Sequence, residues 1–230
     1  MPVRRFLSHP RPEGTHRMRL RFALLLFCLL PLAAFAADAP VEGTDYQVNP
    51  QGKRWNAPAG TIEVVEVFGY TCPHCAHFDP LFQAWKAKQP KDVRVSQLPA
   101  PFGGYWLPYA RAFFAAQQLN LLNRSHEAVF KALHETRELP IQNASALEIG
   151  TFYSQYGITA QQFADVMGSA SVDKKMAAAG DFAKAAQIEY TPSVVVNGRY
   201  TVTPGAGGFE KTLRTVDWLI AREREAARKP

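Results

Sequence analysis

Cysteine is scarce in this chain, with three residues in 230. Cys28 lies in an apolar stretch near the start, so thiol chemistry is left to Cys72 and Cys75. A structural zinc site gathers its ligands from two separated pairs, and the sequence lacks a second pair. Basic excess is also missing where nucleic acid would need it. The formal charge is +6, from 26 basic and 20 acidic residues, but residues 1–36 hold six of the arginines and only one acid, Glu13. The remainder carries 20 basic against 19 acidic residues, a net +1. No basic stripe for DNA or RNA is left, and nucleic acid is excluded as a partner. Long apolar runs are absent too. The stretch Phe22 to Leu32 spans 11 residues, against about 20 for a membrane-crossing helix. No period of fixed length repeats, which excludes a solenoid.

What is present begins with a leader. From Met18 onward, Arg19 and Arg21 form a positive region, Phe22 to Leu32 an apolar core, and Ala34-Phe35-Ala36 a small-residue cleavage site. This is the pattern of a secretory signal peptide cleaved after Ala36. Residues 1–17 fit no part of that pattern, which makes Met18 a second candidate start. Phe27 is bulky where a lipid-modified cysteine would need a small neighbour, so Cys28 reads as an ordinary apolar residue. The mature chain then carries one cysteine pair in an exported compartment, where disulfides form and persist.

Residues 37–60 form an N-terminal segment, small and polar from Ala37 to Thr44, with a short strand at Tyr46-Gln47-Val48. Thr61 to Phe68, rich in β-branched residues between glycines, predicts a buried strand. Pro73 suits the first turn of a helix, where its missing N–H costs nothing. Phe78, Leu81, Phe82 and Trp85 then give that helix one apolar face, ending before Pro90. Pro80 is expected to kink it or remove one hydrogen bond. Val93 to Leu98 alternates as a second strand, completing a right-handed β-α-β unit. Helical spacing follows over Trp106 to Leu122, and a further helix opens at Ser125-His126-Glu127. Ser145 with Glu148 and Thr159 with Gln162 read as capping boxes, Gly157 as a helix-terminating residue, and Ser171 to Ile188 as a long helix. Asn197-Gly198 between two β-branched runs signals a hairpin. Phe209 to Arg222 is a terminal amphipathic helix.

The chemistry concentrates in Gly69-Tyr70-Thr71-Cys72-Pro73-His74-Cys75-Ala76-His77. Cys72 stands at the N-terminal end of a helix, where a thiolate meets the positive end of the macrodipole and unpaired backbone N–H groups. Cys75 comes one turn later and faces the interior. Glu66 is a carboxylate on an otherwise apolar strand face shared with Ile62, Val64 and Phe68. Its alternatives are burial below Cys75 or a solvated strand end. Cys72, His74, Cys75 and His77 make a metal module one alternative, with Cys72 and Cys75 able to bind soft metals weakly, and a peptide-binding chaperone that never turns over is a further alternative. No metal and no cofactor is expected as the primary function. His77 reads as a solvent-exposed residue of the first helical turn.

With Cys72-Pro73-His74-Cys75 after the first long strand and Thr191-Pro192 before the hairpin, the chain resembles the thioredoxin fold. The fold class is α/β, thioredoxin-like, with an inserted helical subdomain. Residues 61–101 and 189–222 form the thioredoxin-like domain and 102–188 the helical insertion. The insertion, the Pro-His dipeptide and the export signal make it similar to the DsbA family of periplasmic thiol:disulfide oxidoreductases. That resemblance implies that Cys72 is the exchanging thiol and Cys75 the resolving one. Pro73 and His74 tune the pair, and Glu66 accepts a proton from Cys75. Thr191 and a cis Pro192 bind the substrate chain. It also implies periplasmic residence, reduced unfolded exported proteins as substrates, and reoxidation by a DsbB-type membrane protein. A lysine pairs with the buried acid in the family, and Gln97 stands at that position here. Thr191 replaces the valine of the best-known members and matches isomerase-type relatives, so a disulfide isomerase or reductase of the same fold is the alternative. Isomerases of this type add an N-terminal dimerisation domain, and only about 25 mature residues precede the first long strand. A monomeric oxidase is expected.

Overall fold

The computed structural model describes residues 39–228. The leader, with Cys28 and the site at Ala36, lies outside them. Five strands form one mixed sheet: β1 (Gln47–Val48), β2 (Ile62–Phe68), β3 (Val93–Pro99), β4 (Ser193–Val196) and β5 (Tyr200–Val202), in the order β1-β5-β4-β2-β3. β2 and β3 are parallel, joined through α1 (Pro73–Lys86), with Glu66 opposite Gln97 in the register. β4 pairs antiparallel with both β2 and β5, and β1 closes the edge on β5. The hairpin turns at Asn197 and Gly198, whose φ values of 49° and 71° fit the left-handed region an Asn-Gly turn supplies.

β2 is buried along its whole length, as a central strand covered on both faces should be. Two apolar clusters share it. Ile62 and Val64 pack with Phe78, Phe82 and Trp85 of α1 and with Val216, Leu219 and Ile220 of the terminal helix α7 (Gly208–Ala226). Phe78 and Phe82 are completely buried, each worth about 1.5–3 kcal/mol relative to exposure. Val65 and Val67 join a larger cluster reaching into the helices between β3 and β4. Phe68, expected on the Ile62 face, belongs to this second cluster, because its ring packs edge-on against Tyr70 and Phe113.

Those helices are α2 (Trp106–Gln118), α3 (Leu122–His134), α4 (Ala146–Tyr153) continued by a 3-10 turn (Ser154–Tyr156), α5 (Ala160–Met167) and α6 (Ala170–Ala185). Both capping boxes are formed, and Gly157 adopts the left-handed conformation with φ of 88°. The break between α2 and α3 comes earlier than the apolar spacing predicts. Asn120 takes a left-handed conformation, φ 57°, so α3 starts at Leu122 and not at Ser125. α1 runs through Pro80 without ending. The terminal helix also extends past Arg222 to Ala226. Among the described residues no helix is long and apolar enough to cross a membrane.

Candidate active site

β2 ends at Phe68, and the short link from Gly69 to Thr71 carries the chain into α1. Gly69 is demanded by a close approach: a Cβ there would lie 1.9 Å from the ring of Trp106. The same residue's N–H donates to the Cys75 sulfur at 3.4 Å. Cys72 occupies the N-cap of α1 with extended backbone, and its side chain makes no cap hydrogen bond. The first N–H groups of the helix have no intrahelical partner, and those of His74 and Cys75 act on the Cys72 sulfur.

The sulfur of Cys72 is stabilised as an anion. Its pKa is lowered to about 5, first by a hydrogen bond from the Cys75 thiol, then by Thr191 and by the backbone N–H groups of Cys75 and His74, against the opposing effect of burial. In the protonated state the Cys72 thiol donates to the Thr191 carbonyl oxygen at 3.6 Å. Cys75 behaves in the opposite way. It has no exposed surface. Burial, contact with Cys72 and the charge of Glu66 drive its proton affinity far above that of a free thiol. Both cysteines are in the dithiol state.

The Thr191–Pro192 bond is cis, and it sits beside Cys72 at the mouth of a groove of about 710 Å³ lined also by His74, Gln187, Tyr190, Thr203 and Phe209. Tyr190 is 65% exposed there. His74 lies exposed on the surface, and what reaches Cys72 is its backbone N–H. Pro73 is the first residue of α1. His77 is exposed on the same helix. Among the described residues, no group of three or more His, Cys, Asp or Glu is placed to hold a metal ion.

Glu66 is buried, 1% exposed, and close enough to Cys75 for its charge to act on that thiol. Burial pushes its pKa up to about 8, and the charge of Asp79 adds to this. Gln97, across the parallel register, donates to Glu66 at 2.7 Å. The structure adds a group the sequence did not suggest. Asp79 on α1 and His126 on α3 lie 3.1 Å apart and join Gln97 and Gln83 in one polar cluster. Tyr70, in the active-site link, meets His126 Nδ1 through its hydroxyl at 2.7 Å, and its carbonyl lies 2.7 Å from His134 Nε2. The spacing of His126, Phe130 and His134 by four residues is the one signal that could have placed all three on the face of a helix turned to Tyr70.

Comparison with known proteins follows the same lines. A family model described as Thioredoxin matches residues 56–214. The thiol:disulfide interchange protein DsbA of Pseudomonas aeruginosa is 34% identical over 212 residues, 90% of this chain and 99% of that protein. Its counterpart in Azotobacter vinelandii is 39% identical over 171 residues, 74% of this chain and 78% of that one. The chain belongs to the DsbA family. Solved DsbA structures superpose closely. The Xylella fastidiosa protein has a TM-score of 0.78 at 49% identity, covering 81% of this chain and 98% of its own. The Pseudomonas aeruginosa protein has a TM-score of 0.77 at 36% identity, covering 84% and 99%. Like other DsbA proteins, this one is a thiol:disulfide oxidoreductase with a thioredoxin-like fold and an inserted helical subdomain.

Proposed function

We propose that this DsbA-family protein is a monomeric periplasmic oxidase that hands the Cys72–Cys75 disulfide to reduced, unfolded exported proteins. The observation that carries this reading is the opposite proton affinity of two thiols on one helical turn, Cys72 held down to about 5 and Cys75 driven up. A substrate thiolate attacks the Cys72 sulfur, forming a mixed disulfide and breaking the Cys72–Cys75 bond. Cys75 leaves with the electron pair and takes a proton from Glu66, which is protonated at neutral pH. A second substrate thiolate then attacks the substrate sulfur of the mixed disulfide, and Cys72 departs as a stable thiolate. The substrate loses two electrons and the enzyme gains them. Stabilising Cys72 as an anion favours the reduced enzyme and makes its disulfide oxidising.

The groove beside Thr191–Pro192 supports a role in holding the substrate backbone next to Cys72. Pro73 opens the helix, where its lack of an N–H costs nothing, and His74 supplies its backbone donor to the Cys72 sulfur. Reoxidation falls to a DsbB-type membrane partner. The test is oxidation of a reduced, unfolded disulfide protein by the purified disulfide form, beside rescue of a scrambled substrate. Fast oxidation with poor unscrambling is expected. Efficient unscrambling with slow oxidation would assign the protein to isomerisation.

A further inference from the structure

Two buried carboxyl groups, Glu66 and Asp79, share the side-chain amide of Gln97, and their donors are unequal. Glu66 Oε2 receives Gln97 Nε2 at 2.7 Å. Asp79 Oδ1 receives Gln83 Nε2 at 2.9 Å and has His126 Nε2 at 3.1 Å, with Gln97 Nε2 further off at 3.3 Å. The His126 ring comes from α3, in the helical insertion, and is buried among Phe68, Phe113 and Phe130. His126 Nε2 also lies 3.0 Å from Gln97 Nε2, itself a donor; in the tautomer with its Nε2–H given to Asp79, Gln97 keeps Glu66 as its acceptor and Nδ1 accepts from the Tyr70 hydroxyl. Two carboxyl groups that close cannot both ionise easily, and the one with more donors keeps the charge.

We propose that His126 is a positioning residue for this pair: by donating to Asp79 it fixes Asp79 as the ionised member and leaves the shared proton on Glu66, beside Cys75. This deepens the exchange mechanism above and rests on it for its use, since the proton on Glu66 is the one Cys75 takes on leaving. The remaining charged group acting on Glu66 is Lys86 of α1, which opposes the effect of Asp79. Burial raises the proton affinity of Asp79, yet the hydrogen bonds of His126, Gln83 and Gln97 hold it below an ordinary carboxyl. A cleft of about 610 Å³ lined by Asp79, Gln83, Gln97 and His126 borders the Asp79 side of the cluster.

The test is carbon-13 NMR of side-chain carboxyl groups in the full-length reduced protein at pH 6.5, with Glu66→Gln and Asp79→Asn assigning the two signals. In the unaltered protein Asp79 is expected at the carboxylate position and Glu66 at the carboxylic acid position. His126→Phe keeps an aromatic ring in the pocket and removes the donor. The Asp79 signal should then move toward the acid position and the Glu66 signal away from it, and His126→Gln, which restores a donor, should reverse part of the movement. In Asp79→Asn the Glu66 midpoint should fall by about one pH unit, because a neighbouring negative charge is gone. Signals unmoved in His126→Phe would overturn the proposal. If that variant does not fold, an unchanged Glu66 midpoint in Asp79→Asn would do so. The NMR outcome decides the positioning role by itself, whereas loss of thiol exchange in the unaltered protein would sink only the reading of its use.

Discussion

Cys72 and Cys75 are three residues apart on one turn of α1, yet their surroundings differ in every respect that matters to a thiol. The outer sulfur faces the N–H groups of the helix start and stands beside Thr191, a residue of the groove. The inner sulfur has no exposed surface, one backbone donor at 3.4 Å, and a carboxyl group nearby. The same chemical group is therefore a good leaving thiolate on one side and a proton-holding thiol on the other. The lesson is that a Cys-X-X-Cys pair acquires direction from burial and from the placement of donors, not from its spacing.

The strongest way to break this comparison is to remove each sulfur in turn. Cys72→Ser should reduce substrate oxidation to background and form no adduct, while Cys75→Ser, offered a substrate disulfide, should trap a stable mixed disulfide through Cys72 with release of one substrate thiol, seen by mass spectrometry of the intact adduct. Equal behaviour of the two variants would deny the division of roles. A smaller effect is expected under the inner thiol. Glu66 has its pKa raised from 4.5 to about 8, so its contribution to stability is full below pH 4.5 and is lost as pH rises through 8. Glu66→Gln should therefore be the more stable protein at pH 8, by on the order of 4 kcal/mol, with the advantage vanishing below pH 4.5. Denaturant unfolding across that range measures it, and an advantage that does not change with pH would contradict the buried, protonated acid.

The smallest effect belongs to the outer side. Thiolate absorbance of Cys72 should titrate with a midpoint near 5, the anion being lost as pH falls through that value. Thr191→Val removes one of several stabilising groups and should raise the midpoint by about half a pH unit. A midpoint in the unaltered protein like that of a free thiol would remove the basis of the oxidising character.

Much of the outer side was legible in the sequence because it is local. Pro73 marks the helix start, Cys72 falls at its end, and Asn197-Gly198 fixes the hairpin that brings Thr191-Pro192 back to the sheet. The capping boxes at Ser145 and Thr159 were legible for the same reason, since each is complete within four residues. Glu66 could be singled out as an acid on an apolar strand, but its setting could not. The start of α3 was misplaced because apolar spacing runs through Asn120 while the backbone does not.

By itself the sequence determined the strand-then-helix setting of Cys72 and Cys75, the hairpin and the helical insertion, because periodicity, proline and glycine act through near neighbours. Only the tertiary structure decided that Asp79 and His126, 47 residues apart, meet at 3.1 Å beside Gln97 and Glu66. The physical reason is that a buried polar group takes its partners from whichever elements pack over it. Here those elements are α1, α3, β2 and β3, and no local pattern records their meeting.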